Sequence, residues 1–156
     1  MIPFIRRAVL EDIEALVTLT LEEARDAEGL QLDAAAVRRG VEGAFQEPPR
    51  AAYWVAESAD GHIVASTSIV TEWSNFHGGE YWWVQSLYIT PTHRGHGLVE
   101  RLLDRLWTEA LAAGALDLRL YAHRGNARAL RAYERCGFTT APYVIMARPT
   151  GEGSRT

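Results

Sequence analysis

The run Tyr81-Trp82-Trp83-Val84-Gln85-Ser86-Leu87-Tyr88-Ile89-Thr90 is rich in aromatic and β-branched residues and is stopped by Pro91. An amphipathic segment begins at Leu98. The strongest strand of the chain must therefore hand over to a helix within a short loop that holds two glycines, Gly95 and Gly97. From Leu98 onward, Leu102, Leu103, Leu106, Trp107, Ala110 and Leu111 fall on one stripe. Glu100, Arg101, Asp104, Arg105 and Glu109 fill the other faces, and the helix ends near Gly114. A chain built around such a unit layers helices on a sheet.

The remaining elements agree with that plan. Phe4 to Val9 reads as a short strand, and Glu11 to Glu28 sets Ile13, Leu16, Val17, Thr20, Leu21 and Ala24 at helical spacing. Asp33 is placed to cap a second helix running through Phe45, with Val37, Val41 and Phe45 four apart and Pro48-Pro49 ending it. Ala51 to Glu57 and His62 to Thr71 read as antiparallel strands about the turn signal Asp60-Gly61. Trp73 to Gly79 reads as a polar and aromatic loop. Leu116 to Tyr121 is expected to be a strand, Asn126 to Cys136 a helix ended by Gly137, and Tyr143 to Ala147 a last strand. The expectation is one α+β domain over residues 1–149 with a mixed, mostly antiparallel sheet, and a disordered tail over 150–156.

Composition narrows the function classes. A chain of 156 residues with 47% hydrophobic content has the material for one real core. A net charge of -4 argues against nucleic acid as a partner. No window approaches the ~20 apolar residues of a membrane span, and the start Met1-Ile2-Pro3-Phe4-Ile5-Arg6-Arg7 lacks the pattern of a secretory leader. A cytoplasmic protein without a membrane partner is expected. The single cysteine, Cys136, excludes an internal disulfide and any cysteine-based zinc site. Among the five histidines, only His93 and His96 are close in sequence, and no third ligand stands near them, so no metal is expected.

The loop Arg94-Gly95-His96-Gly97 carries the chemistry. N–H groups at a helix N-terminus point at whatever lies ahead of it, and glycine lets the backbone approach a phosphate closely. Arg94 adds a charge-assisted donor. A tight turn would also use two glycines, but strand, arginine and helix together favour an anion. The loop lacks the Gly-Lys-Ser/Thr end of a nucleotide-binding P-loop and the third glycine of the dinucleotide fingerprint, since Val99 follows Leu98.

With Arg94-Gly95-His96-Gly97-Leu98-Val99 after its fourth strand, the chain resembles the GNAT superfamily of N-acetyltransferases, and the element order agrees over nearly the whole chain. The stretch Glu72-Trp73-Ser74-Asn75 with Tyr81 to Ile89 is similar to one bacterial subgroup without a defined substrate. Val99 departs from the small residue usual in the signature. The resemblance implies a GNAT fold of about seven strands flanked by four helices. It also implies acetyl-CoA as co-substrate, its pyrophosphate held by Arg94, Gly95, His96, Gly97, Leu98 and Val99. Leu87 and Ile89 would pair with the pantetheine arm as an added strand does, and the amide near Tyr88 or Leu87 would polarise the thioester carbonyl.

A second constellation supports this. Asn126, Ala129 and Tyr133 lie three and then four residues apart and share a helix face, and Tyr133-Glu134-Arg135-Cys136-Gly137-Phe138 matches the family's Tyr-x-x-x-Gly-Phe. Taken alone, Asn126 reads as a cap and Tyr133 as a half-buried core residue. The resemblance implies instead that Asn126 touches pantetheine and Tyr133 acts as general acid toward the departing thiolate. Gln85 and Ser86 stand where several relatives carry a carboxylate, so Glu72 and Glu80 are the candidate bases, acting through water. Trp73, Phe76 and Gln85 are candidates for the acceptor pocket, although the aromatic cluster equally suits sheet core and a homodimer contact. Direct acetylation of a small-molecule amine is the leading expectation. A non-catalytic acyl-CoA-binding module and acetylation of a protein amine are the rivals, and a covalent intermediate on Cys136 is disfavoured.

Overall fold

A computed structural model describes residues 1–151. Strand β1 (Phe4–Arg7) leads to helix α1 (Ile13–Glu28) and helix α2 (Ala34–Glu42), and strands β2 (Ala52–Glu57), β3 (Ile63–Ser74) and β4 (Gly79–Ile89) follow. Helix α3 (Leu98–Ala112), strand β5 (Leu118–Leu120) and helix α4 (Ala127–Arg135) complete the order. The sheet runs β1-β2-β3-β4-β5, antiparallel except for the parallel pair β4 and β5.

Alternation along β2 decides which helices cover which face. Tyr53 and Val55 point to α1 and α2, where they join Leu16, Val17 and Val41. Trp54 points the other way and joins Leu103 and Leu106 of α3, with Tyr133 of α4 packed against that cluster. Local chemistry agrees with this packing. Asp33 caps α2 by accepting from the amides of Ala35 and Ala36 at 3.2 and 3.3 Å. Gly29 ends α1 in the left-handed region. Arg6 clamps β1 in place by pairing with Asp12 and Glu57, each at 2.7 Å.

The α+β class and the four helices stand as expected, but the sheet has five strands among the described residues rather than about seven. Tyr143 to Ala147 forms no strand. Tyr143, Val144, Ile145 and Met146 are all exposed, and without a neighbouring strand their β propensity closes no ladder. At the other end of the sheet, β3 continues through Trp73 and Ser74, so the expected loop shrinks to a tight hairpin turn. Trp107 and Leu111 border the α3 stripe and are exposed, whereas Leu102, Leu103, Leu106 and Ala110 are buried. The expected tail lies, from residue 152 onward, outside the described residues.

Candidate active site

Strand β4 builds the site because it loses one neighbour halfway along. It pairs with β5 only over Trp82 to Val84, against Leu118 to Leu120. On its other side the register with β3 slips: Ser68 opposes Ser86, yet Ile69 opposes Val84, which leaves Gln85 as an extra residue. Such a bulge bends a strand and re-aims its side chains. Gln85 is consequently exposed in mid-strand. Two bonds brace the far side of the bulge. The Ser68 and Ser86 hydroxyls share a hydrogen bond at 2.7 Å, and Thr67 Oγ1 donates to the Ser86 carbonyl at 2.8 Å.

Beyond the bulge, the Leu87 amide donates to Glu23 Oε1 of α1 at 3.2 Å. Glu23 shares a helix face with the fully buried Leu16, seven residues earlier, and with Thr20, three earlier. Burial raises its pKa, the charge of Glu28 adds to the rise, and the Leu87 N–H opposes it. Glu23 enters no ion pair among the described residues. It lines a cleft of about 310 Å³ together with Thr20, Tyr53, Ser68, Gln85 and Ser86.

Tyr133 approaches from the opposite face of the sheet. Its ring packs edge-on to Phe138 with centroids 6.2 Å apart. Burial raises the phenol's pKa, and the charge of Glu23 raises it further, so the two side chains feel one another electrostatically. The phenol therefore keeps its proton at neutral pH. Asn126 caps α4, its Oδ1 accepting from the Ala129 amide at 3.1 Å.

The glycine loop follows β4 directly. Gly95 at φ 79° and Gly97 at φ 72° are left-handed, a conformation that costs any residue with a Cβ. Because Gly97 occupies the cap position of α3, no side chain satisfies the first-turn amides. A phosphate-sized anion fits that arrangement. Arg94 lies folded back: its Nε donates to the Ile89 carbonyl at 2.8 Å, its guanidinium sits 5.3 Å from the centre of the Tyr88 ring, and it pairs with Asp26 at 3.5 Å. Asp26 also accepts from the Tyr88 hydroxyl at 2.6 Å, and burial together with that carboxylate pushes Tyr88 up to about 12. The side chains of Tyr88, Ile89 and Leu98 are buried, and Val99 packs between two core clusters, so these residues offer a ligand only backbone. His96 is exposed and shares a hydrogen bond between Nδ1 and the Arg94 carbonyl at 2.8 Å.

Not all of the expected site assembles. Glu72 pairs with Tyr81 and Glu80 with Trp73 at the distal end of the β3–β4 hairpin. Glu80 lies seven positions before Leu87 along the strand, roughly 23 Å. Trp73 and Phe76 stand exposed at that same end and line neither of the two clefts that Gln85 lines. The carboxylate at the bulge is Glu23, which the sequence reading missed. Its signal was a charged residue on the apolar face of α1. No group of three or more histidine, cysteine or acidic residues could hold a metal among the described residues, and no helix there is long and apolar enough to cross a membrane.

Comparison with known proteins bears on the fold and the family. The L-methionine sulfoximine/L-methionine sulfone acetyltransferase of Salmonella typhimurium is 32% identical over 56% of this chain, and the match spans about half (51%) of that relative. A possible acetyltransferase from Clostridium difficile superposes with a TM-score of 0.88 at 22% identity, over 97% of this chain and 100% of the other. A predicted acetyltransferase from Clostridium acetobutylicum, solved with acetyl-CoA, gives a TM-score of 0.76 at 22% identity, over 93% and 95%. The family model described as Acetyltransferase (GNAT) matches residues 13–138, from the first turn of α1 through the α4 motif to Phe138. With the glycine loop and the α4 motif both inside that span, the chain belongs to the GNAT acetyltransferase family.

Proposed function

We propose that this chain transfers an acetyl group from acetyl-CoA to the primary amine of a small molecule by direct attack. The observation that carries this reading is the hydrogen bond from the Leu87 amide to Glu23 where β4 parts from β5, with Tyr133 packed on the other face of the sheet. Family membership supports acyl transfer. The acetyl-CoA bound to a structural neighbour supports the donor, and the small acceptor named for the Salmonella relative supports a small amine.

In this reaction the Gly95–Gly97 backbone and the first turn of α3 hold the pyrophosphate. The main chain of Leu87 and Ile89, with Asn126, lines the pantetheine arm. The acceptor arrives as an ammonium ion and gives one proton to the Glu23 carboxylate, whose raised pKa suits a base. The freed nitrogen attacks the thioester carbon and the C–N bond forms, and as the C–S bond breaks the nitrogen sheds its second proton to solvent, leaving a neutral amide. Tyr133 donates its proton to the departing sulfur and recovers one from solvent, while Glu23 returns its proton to solvent. Once the ammonium engages Glu23, the Leu87 N–H is free to stabilise the carbonyl oxygen as negative charge develops on it.

The test is CoA release with pools of amines, amino acids and peptides. Glu23→Gln and Tyr133→Phe are each expected to lower kcat about a hundredfold with acetyl-CoA affinity retained. In Glu23→Gln, the fall of kcat at acid pH should also vanish. Unchanged kcat in Glu23→Gln, with loss in Glu72→Gln or Glu80→Gln, would move the base to the hairpin end. Tight acetyl-CoA binding without turnover of any pool would favour a non-catalytic binding module.

A further inference from the structure

The cleft at Glu23 continues into a second one of about 300 Å³, and Thr20, Tyr53 and Gln85 line both. The two compartments have opposite electrical character. The first holds two carboxylates, Glu23 and Glu28, and no cationic side chain. Glu28 is the last residue of α1, where the helix dipole adds negative potential. The second holds one guanidinium, Arg50, and no carboxylate. Arg50 enters no ion pair among the described residues. Its backbone amide donates to the Gly43 carbonyl at 2.9 Å, which holds its main chain in place while the guanidinium stays uncommitted. Between the charged ends, Val37, Val41 and Val70 supply apolar wall.

We propose that Arg50 is the anion-reading residue of the acceptor subsite, and that the acceptor is an apolar amino carboxylate whose ammonium faces Glu23 and whose carboxylate faces Arg50. This rests on the transfer reading for the identity of the reacting end. Strand register sets the scale. Tyr53 is level with Ser68 near the bulge, whereas Ala51, beside Arg50, lies two residues along the same strand edge, about 7 Å away. With the reach of an arginine side chain, that spacing admits α-amino acids and short ω-amino acids alike. A guanidinium recognises a carboxylate with two parallel hydrogen bonds, so an amine lacking the carboxylate leaves Arg50 without that contact.

Calorimetric titration of the full chain with free CoA present tests this with two matched pairs. L-leucine is compared with 3-methylbutylamine, and 6-aminohexanoate with hexylamine. In each pair, only the first member has a carboxylate. At least one carboxylate is expected to improve affinity about tenfold or more. Arg50→Gln should reduce that advantage to within about twofold and leave amine binding unchanged, and Arg50→Lys should fall between. No advantage in either pair, or an advantage that survives Arg50→Gln, overturns the assignment. CoA release reports separately on the reaction. A carboxylate preference without turnover would remove the transfer reading and keep the subsite, whereas turnover of 3-methylbutylamine with no preference would do the reverse.

Discussion

Glu23 is a carboxylate whose surroundings oppose its ionised form. A carboxylate on the buried face of a helix, with one amide donor and no cation, is held above the ordinary glutamate value of about 4.3, chiefly by burial. Between that value and its own raised one, the folded chain keeps a proton that the unfolded chain has released. Stability contributed by the protonated form is therefore complete below about pH 4.3 and declines as pH rises through the folded value. Glu23→Gln removes the charge and keeps an oxygen to accept from Leu87. The variant should melt about 1–3 °C above the parent at pH 7, a gain kept small by the partial exposure of the group, and the difference should vanish near pH 4. Thermal melts at the two pH values check this, and an equal offset at both would mean that the charge is not the cause. A group that costs stability when ionised and has no cationic partner among the described residues is the pattern expected of a site shaped for a cationic substrate.

At the scale of elements, the join between β4 and α3 separates residues that serve the fold from residues that serve a ligand. Gly97 caps α3 at φ 72°, so Gly97→Ala should cost about 1–2 kcal/mol in chemical denaturation and also weaken CoA binding, because the first-turn amides shift. Val99 turns inward between two clusters, so Val99→Ala should cost about 1–2 kcal/mol and leave CoA affinity within about twofold. Calorimetry with CoA distinguishes the two substitutions. Much of this join was legible in sequence, because the leucine stripe of α3, the stop at Pro91 and the paired glycines are local signals. The α4 motif was legible for the same reason. The bulge was not, since Gln85 is flanked by ordinary strand residues and only the slip between Ser68 and Ile69 exposes it. Glu72 and Glu80 flank the aromatic stretch in sequence, but a strand carries nearness in sequence away at about 3.4 Å per residue. Glu23 reaches Leu87 across 64 positions, and that contact exists only once α1 lies on the sheet. Tyr143 to Ala147 reads as a strand for its apolar run alone, and sequence does not reveal whether a neighbouring edge is offered.

For the molecule as a whole, the sheet separates two approaches and then opens at one point. The clefts lie on the α1 and α2 side, and the glycine loop and α4 belong to the layer of α3. The parting of β5 from β4 after Val84 is where, in the proposed reaction, a ligand from one side meets a ligand from the other. Such an arrangement suits two substrates bound together, with no thiol lining either cleft. Cys136, the single thiol, sits past the end of α4 against Tyr133 and Phe138, and burial, reinforced by Glu100 and Asp104, raises its pKa and keeps it protonated. Initial rates measured against both substrates should therefore give intersecting rather than parallel reciprocal plots. Cys136→Ser should keep kcat within about threefold, because a thiol that stays protonated is a poor nucleophile. Mass spectrometry after incubation with acetyl-CoA alone should find no acetylated protein. Parallel plots with loss of turnover in Cys136→Ser would require a two-step route in which the acetyl group crosses the sheet on the protein, and the opening between β4 and β5 would then serve the donor alone.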